Sequence, residues 1–349
     1  MNSMKENPDR NNHLYGHFAL NIGALSIITV IVFMLALVVG PAHGSLANLF
    51  SGNLADREIS LEIIFKVRLP RIILSMLAGA ALSASGVAFQ AILRNPLADP
   101  YILGVSGGAL FGTLLFSIAG SASSLFMAIG RPFSAFLGAL LTLIFLIYLS
   151  RVHGRMSSTS LLLTGVIINA FFTAFILFFL TFTEFSRLQG SFFWIAGSIG
   201  SPDYTALFFI FAMFIAGLLI LISLAPALNV FALGESAAFS LGVDVEKVKM
   251  LAIVSASMMT AAAVSFAGLI GFVGLMIPHI FRLIGGPDNR TLLPHAALGG
   301  ALFLLLCDTI GRTIVMPSEV PAGIITALMG CPFFIWLYLK EKGEKIEID

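Results

Sequence analysis

Charged residues divide this chain into long apolar runs. Uncharged stretches cover residues 18–55, 72–93, 100–130, 132–150, 156–183, 204–234, 250–281, 291–307 and 320–339. A membrane-spanning helix needs about 20 mostly apolar residues, so most of these runs hold one. The run 250–281 is long, and GLIGFVGLMIP (268–278) interrupts it with glycines and a proline suited to a turn. Splitting it there predicts ten spans, at about 18–40, 70–92, 101–120, 132–150, 159–181, 204–224, 249–268, 272–285, 292–313 and 321–339. The eighth is short.

The stretch between the sixth and seventh spans reads like a piece of soluble helix. In APALNVFALGESAAFSLGVDVEKVK (225–249), Ala232 to Leu241 can form a short helix. Gly242 can end it in the left-handed conformation, and Asp244 can cap the next helix with Glu246 in its first turn. A structured loop at a membrane face suits a docking helix through which an outside partner moves the chain. A polar connector with a chance glycine fits the same local pattern.

Composition fixes the class. The 349 residues are 58% hydrophobic and 11% charged, with a mean hydropathy of +1.00, whereas a soluble domain carries roughly 25% charged residues. The chain could not cover its own surface in water, so it is an integral membrane protein, and its helix-length apolar runs make it all-α. Its net charge of +1 gives no hint of a nucleic-acid partner. Residues 1–17 are polar and hold Glu6 and Asp9, and the run 18–40 is too long for the apolar region of a signal peptide. The two cysteines, Cys307 and Cys331, fall inside apolar runs and read as buried free thiols.

Lys and Arg resist translocation, so their distribution sets orientation. With both termini inside, twelve of the 19 lie on the inner face and seven on the outer. That puts 225–249 in the cytoplasm as a coupling segment, with cytoplasmic tails at 1–17 and 340–349 of a single transmembrane domain, 1–349. Lys66, Arg68 and Arg71 crowd one short outer segment.

Several spans are built for close approach. LAGAALSASGVAFQ (77–90) and AALGGALFLL (296–305) are rich in Gly, Ala and Ser, which let helix backbones meet where lipid supplies no hydrophobic drive. SGGAL (106–110) and LGGAL (298–302) each follow an Arg-Asn, Pro and Asp loop, a faint sign of an internal repeat.

Little in the spans carries chemistry. GVSGG (104–108) fits the Gly-x-Ser-x-Gly pattern of a serine hydrolase, but no sequence feature sets His279 or His295 opposite Ser106, and packing by small residues explains it. His153, His279 and His295 lack Cys or Glu at metal-ligand spacing, so no metal site is expected. A phosphate-binding Gly-x-x-x-x-Gly-Lys-Ser/Thr loop is missing from the sequence. Asp308 lies near the outer end of its span, four residues before Arg312, where the two could pair on one helical face. The spans otherwise hold no Asp or Glu, a poor supply for a proton relay.

Three long motifs carry a resemblance. RLPRIILSMLAGAALSASGVAFQAILRNPLADPYILGVSGGAL (68–110), GLIGFVGLMIPHIFRLIGGPDNRTLLPHAALGGA (268–301) and EVPAGIITALMGCPFFIWLYL (319–339) are similar to the FecCD family of ABC importer permeases. The similarity covers about 59–340. It implies a type II ABC importer permease fold, ten helices per subunit and a homodimer. It also implies two ATPase subunits holding ATP and Mg, a periplasmic binding protein, no cofactor and no catalysis in this chain, and a bacterial inner membrane. Glu235, Ala238, Leu241 and Gly242 then become the ATPase contact. Arg68, Arg71 and Arg312 become the docking points for acidic residues of the binding protein, with headgroup anchoring as the other reading of Arg68 and Arg71. Loops 94–100 and 156–159 would form the inner gate, with Asn95, Leu97, Ser158 and Thr159 nearest the axis. The fifth span would line the path, and 187–198, with Trp194, would form a short outer helix.

The implied activity is ATP-driven import of a ferric siderophore by alternating access, with haem and cobalamin as alternative cargoes. An ion-coupled secondary transporter and an intramembrane serine hydrolase are the rivals.

Overall fold

The structure is a computed structural model that describes residues 8–40, 54–119, 124–152, 155–182 and 193–346. Helix α1 (Pro8–Val38) comes first. Helix α2 (Leu54–Glu62) then passes through a π-helical turn (Ile63–Arg68) straight into α3 (Leu69–Leu93). A 3-10 turn (Pro100–Leu103) leads to α4 (Val105–Ala119) and α5 (Ser124–Ser150). Two-residue strands β1 (Arg151–Val152) and β2 (Arg155–Met156) pair antiparallel before α6 (Ser158–Phe182). The chain continues through α7 (Tyr204–Phe231), the short α8 (Glu235–Ser240), α9 (Val245–Ala267), α10 (Val273–Gly285), α11 (Asn289–Thr313) and α12 (Ala322–Ile346).

Among the described residues, seven helices are long and apolar enough to cross a membrane, and three shorter apolar ones in α1, α4 and α10 complete the ten. The split at GLIGFVGLMIP holds: α9 ends at Ala267 and α10 begins at Val273. The turn between them places Gly268 at φ +74° and Phe272 at φ +68°. Tyr101 clamps it, because its hydroxyl donates to Ile270 O at 3.1 Å and accepts from Ile270 N at 3.0 Å.

Several boundaries differ from the sequence reading: α1 starts at Pro8 rather than 18, α5 starts at Ser124 rather than 132 and carries Pro132 inside it, and the coupling region is redrawn on both sides. The sixth span does not stop at 224 but runs as α7 through Pro226 to Phe231. Proline removes one backbone donor, yet Leu228 and Phe231 are fully buried, and that packing holds the last two turns helical. The coupling helix is therefore six residues, Glu235–Ser240, not Ala232–Leu241. Gly234, at φ +107°, separates it from α7, and Gly242, at φ +83°, ends it as expected.

Helix α3 is the centre of the bundle. It is buried nearly all round, which marks a helix enclosed by others rather than one facing lipid. It packs on α11, α9, α7 and α10. Glycines set the closest approaches: a Cβ on Gly79 would fall 2.1 Å from Gly300 O, and one on Gly86 would fall 1.8 Å from Gly274 O. Gly79, Gly86 and Gly300 belong to the small-residue stretches picked out above, and Gly274 opens α10. Of the two cysteines, both free, Cys307 is buried but Cys331 is exposed, because it lies on the outward side of α12.

Candidate functional site

The two ends of α3 carry the polar chemistry of the described residues. At about 1.5 Å per residue, they lie roughly 35 Å apart.

At the start of α3, three arginines converge near the end of α1. Arg68 Nη1 donates to Leu37 O at 2.9 Å and Val38 O at 3.0 Å, satisfying terminal carbonyls of α1. Arg71 Nε donates to Asp308 Oδ1 at 3.0 Å, and its Nη1 donates to Glu319 Oε2 at 2.7 Å. Arg312 Nε lies 3.0 Å from Asp308 Oδ2, the pairing its i,i+4 spacing suggested, although the N–H is poorly aimed for a hydrogen bond. Asp308 thus sits between two cations.

Arg68 and Arg312 are 4% and 2% exposed. The sequence reading of outward cations ready for a partner's carboxylate needs correcting: Arg71 and Arg312 already hold carboxylates of this chain, and Arg68 holds carbonyls. A charge withdrawn from water at a membrane edge must be paired, and α11 and the loop before α12 supply the partners. Glu319, which sequence reading overlooked, is the outermost member, with its side chain 39% exposed. Its motif position gave no sign of a partner 248 residues away.

At the other end, α8 presents a mixed face. Leu241 and Gly242 point outward, but Ala238 is fully buried and packs the helix onto the bundle. Ala238 is therefore corrected from surface contact to packing. Its place outside is taken by Phe239, 76% exposed, with Leu233 70% exposed beside the helix. An aromatic residue one position after the alanine lies about 100° round the helix, off the packed face, so one apolar residue packs while the next is presented to a partner.

Glu235 turns back into the protein. Its Oε2 lies 2.7 Å from Lys249 Nζ, and its Oε1 is 3.0 Å from Ser158 Oγ. Burial works to raise the Glu235 pKa, but the Lys249 hydrogen bond and charge outweigh it and hold the carboxyl below its ordinary value. Lys249 is completely buried and also donates to Met156 O at 2.6 Å.

The expected gate residues sit around this junction. Ser158 Oγ reaches Ile92 O at 3.0 Å, on the last turn of α3. Helix α3 ends with Arg94 in the left-handed conformation, one residue before the Asn95–Pro96 break. Asn95 Oδ1 accepts from Leu97 N at 2.9 Å, which folds the loop into an Asx turn with Leu97 exposed. Thr159 is exposed at the start of α6.

Beyond that loop, Asp99 caps the 3-10 turn by accepting from Tyr101 N at 2.8 Å. Burial pushes its pKa up to about 6, against the opposing effect of that hydrogen bond. Asp99, Ser106, Asn169, Thr173 and Phe272 line a cavity of about 500 Å³ between α4, α6 and the α9–α10 turn.

No group of three or more metal-ligating side chains lies together among the described residues. His279 meets Phe333 and Phe334 edge-on, and His295 lies beside Phe281 with its Nδ1 2.7 Å from Thr291 O, so both sit in packing surroundings. Gly108 packs on Thr142 and Gly138 of α5, which explains GVSGG by packing. His153 and Arg187 lie outside the described residues. Of the segment 187–198, the described part holds a single helical turn at 193–195, with Trp194 buried.

The profile of the FecCD transport family matches residues 28–340. The chain belongs to that family. This permease is 35% identical over 328 residues to a hemin transport system permease of Yersinia pestis, covering 93% of this chain and 97% of that one. It is 36% identical over 321 residues to a vitamin B12 import system permease of Citrobacter koseri, covering 92% and 94%. A solved inward-facing metal-chelate type ABC transporter superposes with a TM-score of 0.80 at 32% identity, over 93% of this chain and 99% of that one. The permease is thus a multi-pass membrane component of an ABC importer.

Proposed function

We propose that this permease works as a homodimer in the bacterial inner membrane and carries a metal chelate to the cytoplasm, with a ferric siderophore as the first choice. Both termini and α8 face the cytoplasm. Two ATPase subunits bind ATP and Mg and press on α8, while a periplasmic binding protein delivers the chelate to the arginine end. The homodimer's shared path opens alternately to each side, lined by α6 and gated by Asn95, Leu97, Ser158 and Thr159.

The observation that carries this reading is α8 itself. Phe239 on α8, with Leu233 and Leu241 just before and after it, is large, apolar and exposed, and glycines at 234 and 242 bound the segment. Exposed apolar residues on a polar face suit a protein partner. Glu235, with Gly242 at the helix end, sets the angle at which α8 is presented.

The arginine end suits a docking surface of a particular kind. A carboxylate arriving from the binding protein must compete with Glu319 for Arg71, since Asp308 is nine-tenths or more enclosed and Glu319 is not. Forked hydrogen bonds from arginine then fix the register of the complex. Relatives named for hemin and vitamin B12, and a metal-chelate neighbour, support the cargo class without choosing within it.

Uptake into vesicles holding the permease, its ATPase and its binding protein tests the proposal. ATP-dependent accumulation of a ferric siderophore is expected, and Gly242→Asp, which forces a side chain onto a φ of +83°, is expected to uncouple hydrolysis from uptake. Accumulation of haem or cobalamin instead would change the cargo only. Uptake that ignores ATP and follows the proton gradient would return Asp308 to a transport role and remove the ATPases.

A further inference from the structure

We propose that Lys249 is a positioning residue that carries the movement of α8 to the start of α6. This rests on reading α8 as the surface the ATPase pushes.

Lys249 lies in the second turn of α9 and is 0% exposed. An ammonium group is removed from water only where strong partners replace its hydration. Here the partners come from two different elements: Glu235 Oε2 of α8 at 2.7 Å and Met156 O of β2 at 2.6 Å. The side chain therefore ties the pushed helix to the strand that leads into α6.

The strand is held from a second side. Glu246, in the first turn of α9, accepts from Met156 N at 3.1 Å, so α9 grips both polar groups of the Met156 backbone. Two residues later Ser158 opens α6. Its hydroxyl lies 3.0 Å from both Glu235 Oε1 and Ile92 O, and its single proton can be donated fully to only one of them at a time. Glu235 is thus joined to α9 through one oxygen and to α6 through the other. Moving α8 while keeping these bonds displaces β2 and the first turn of α6 together, and with them Ser158 and Thr159. The alternative is that Lys249 only staples the fold. The two differ in what they make of the link between hydrolysis and transport, since a staple affects assembly and a transmitting residue affects yield per ATP.

The test compares the assembled transporter, purified with its ATPase and reconstituted with its binding protein, for chelate taken up per ATP hydrolysed. Lys249→Met is expected to lower that ratio about tenfold, the scale of a modest coupling free energy. Glu235→Gln should lower it severalfold, and the double variant should be no worse than Lys249→Met, because both changes cut one connection. Additive losses would overturn the proposal, as would a normal ratio in Lys249→Met. If Lys249→Met does not assemble, Glu246→Ala decides, since it loosens Met156 without touching α8. A lowered ratio supports transmission, and a wild-type ratio overturns it. Failure of the wild-type chain to bind any ATPase would instead sink the parent reading of α8.

Discussion

The two ends of this permease handle charge in opposite ways. At the arginine end, three cations and two carboxylates close on one another and on the carbonyls of α1, leaving only Glu319 well exposed. At the α8 end a single buried lysine reaches outward through a half-exposed glutamate to a surface bearing Phe239 and Leu241. The first arrangement is self-contained and opens only to a partner that competes for its ions. The second is connected, so that a push on the surface is felt inside. A buried pair contributes little net stability, because its attraction is offset by desolvation, whereas breaking it costs a great deal. Both sites are therefore better explained by what they position than by what they stabilise.

The largest expected effect comes from breaking the rod that joins the two ends. Gly300→Val places a branched side chain where a Cβ alone would lie 2.3 Å from Gly79 O, and it should destabilise the bundle by more than about 4 kcal/mol, read as loss of folded protein in detergent. Asp308→Asn comes next. It leaves Arg71 and Arg312 facing each other without their shared anion, and a loss of about 3–5 kcal/mol is expected from thermal unfolding.

A smaller effect comes from pH at the cavity beside the α9–α10 turn. The folded-state pKa of Asp99 is raised, so folding favours its neutral form. Its contribution is full below the ordinary carboxylate pKa near 4 and is lost as pH rises through about 6. Asp99→Asn can keep the cap on Tyr101 and should flatten the fall in melting temperature between pH 4 and 6, by the equivalent of ~1 kcal/mol. Glu235 is shifted the other way, so its contribution is present at neutral pH and lost only below the ordinary carboxylate range. The smallest change is Glu319→Gln. It removes one partly exposed pair and should strengthen binding-protein affinity a few-fold, measured at two salt concentrations.

The helices were legible because each span is a long uncharged run, and the α9–α10 break was legible because glycines and a proline mark it. The Asp308–Arg312 pair was legible from local spacing. What escaped was non-local. Arg71 meets Glu319 across 248 positions, and Lys249 meets Met156 across 93. In the sequence Lys249 is one more cation at a membrane edge, and no local pattern says that it is fully buried. The extra two turns of α7 were missed for a similar reason, since Pro226 signals an end that the packing of Leu228 and Phe231 overrides.

The most direct measurement is chelate uptake by proteoliposomes holding the permease, its ATPase and its binding protein, with ATP inside and with the proton gradient collapsed. Uptake that needs ATP, survives the ionophore and is lost in Gly242→Asp while hydrolysis continues is the expected result. Uptake that persists without ATP and stops with the ionophore would contradict the account.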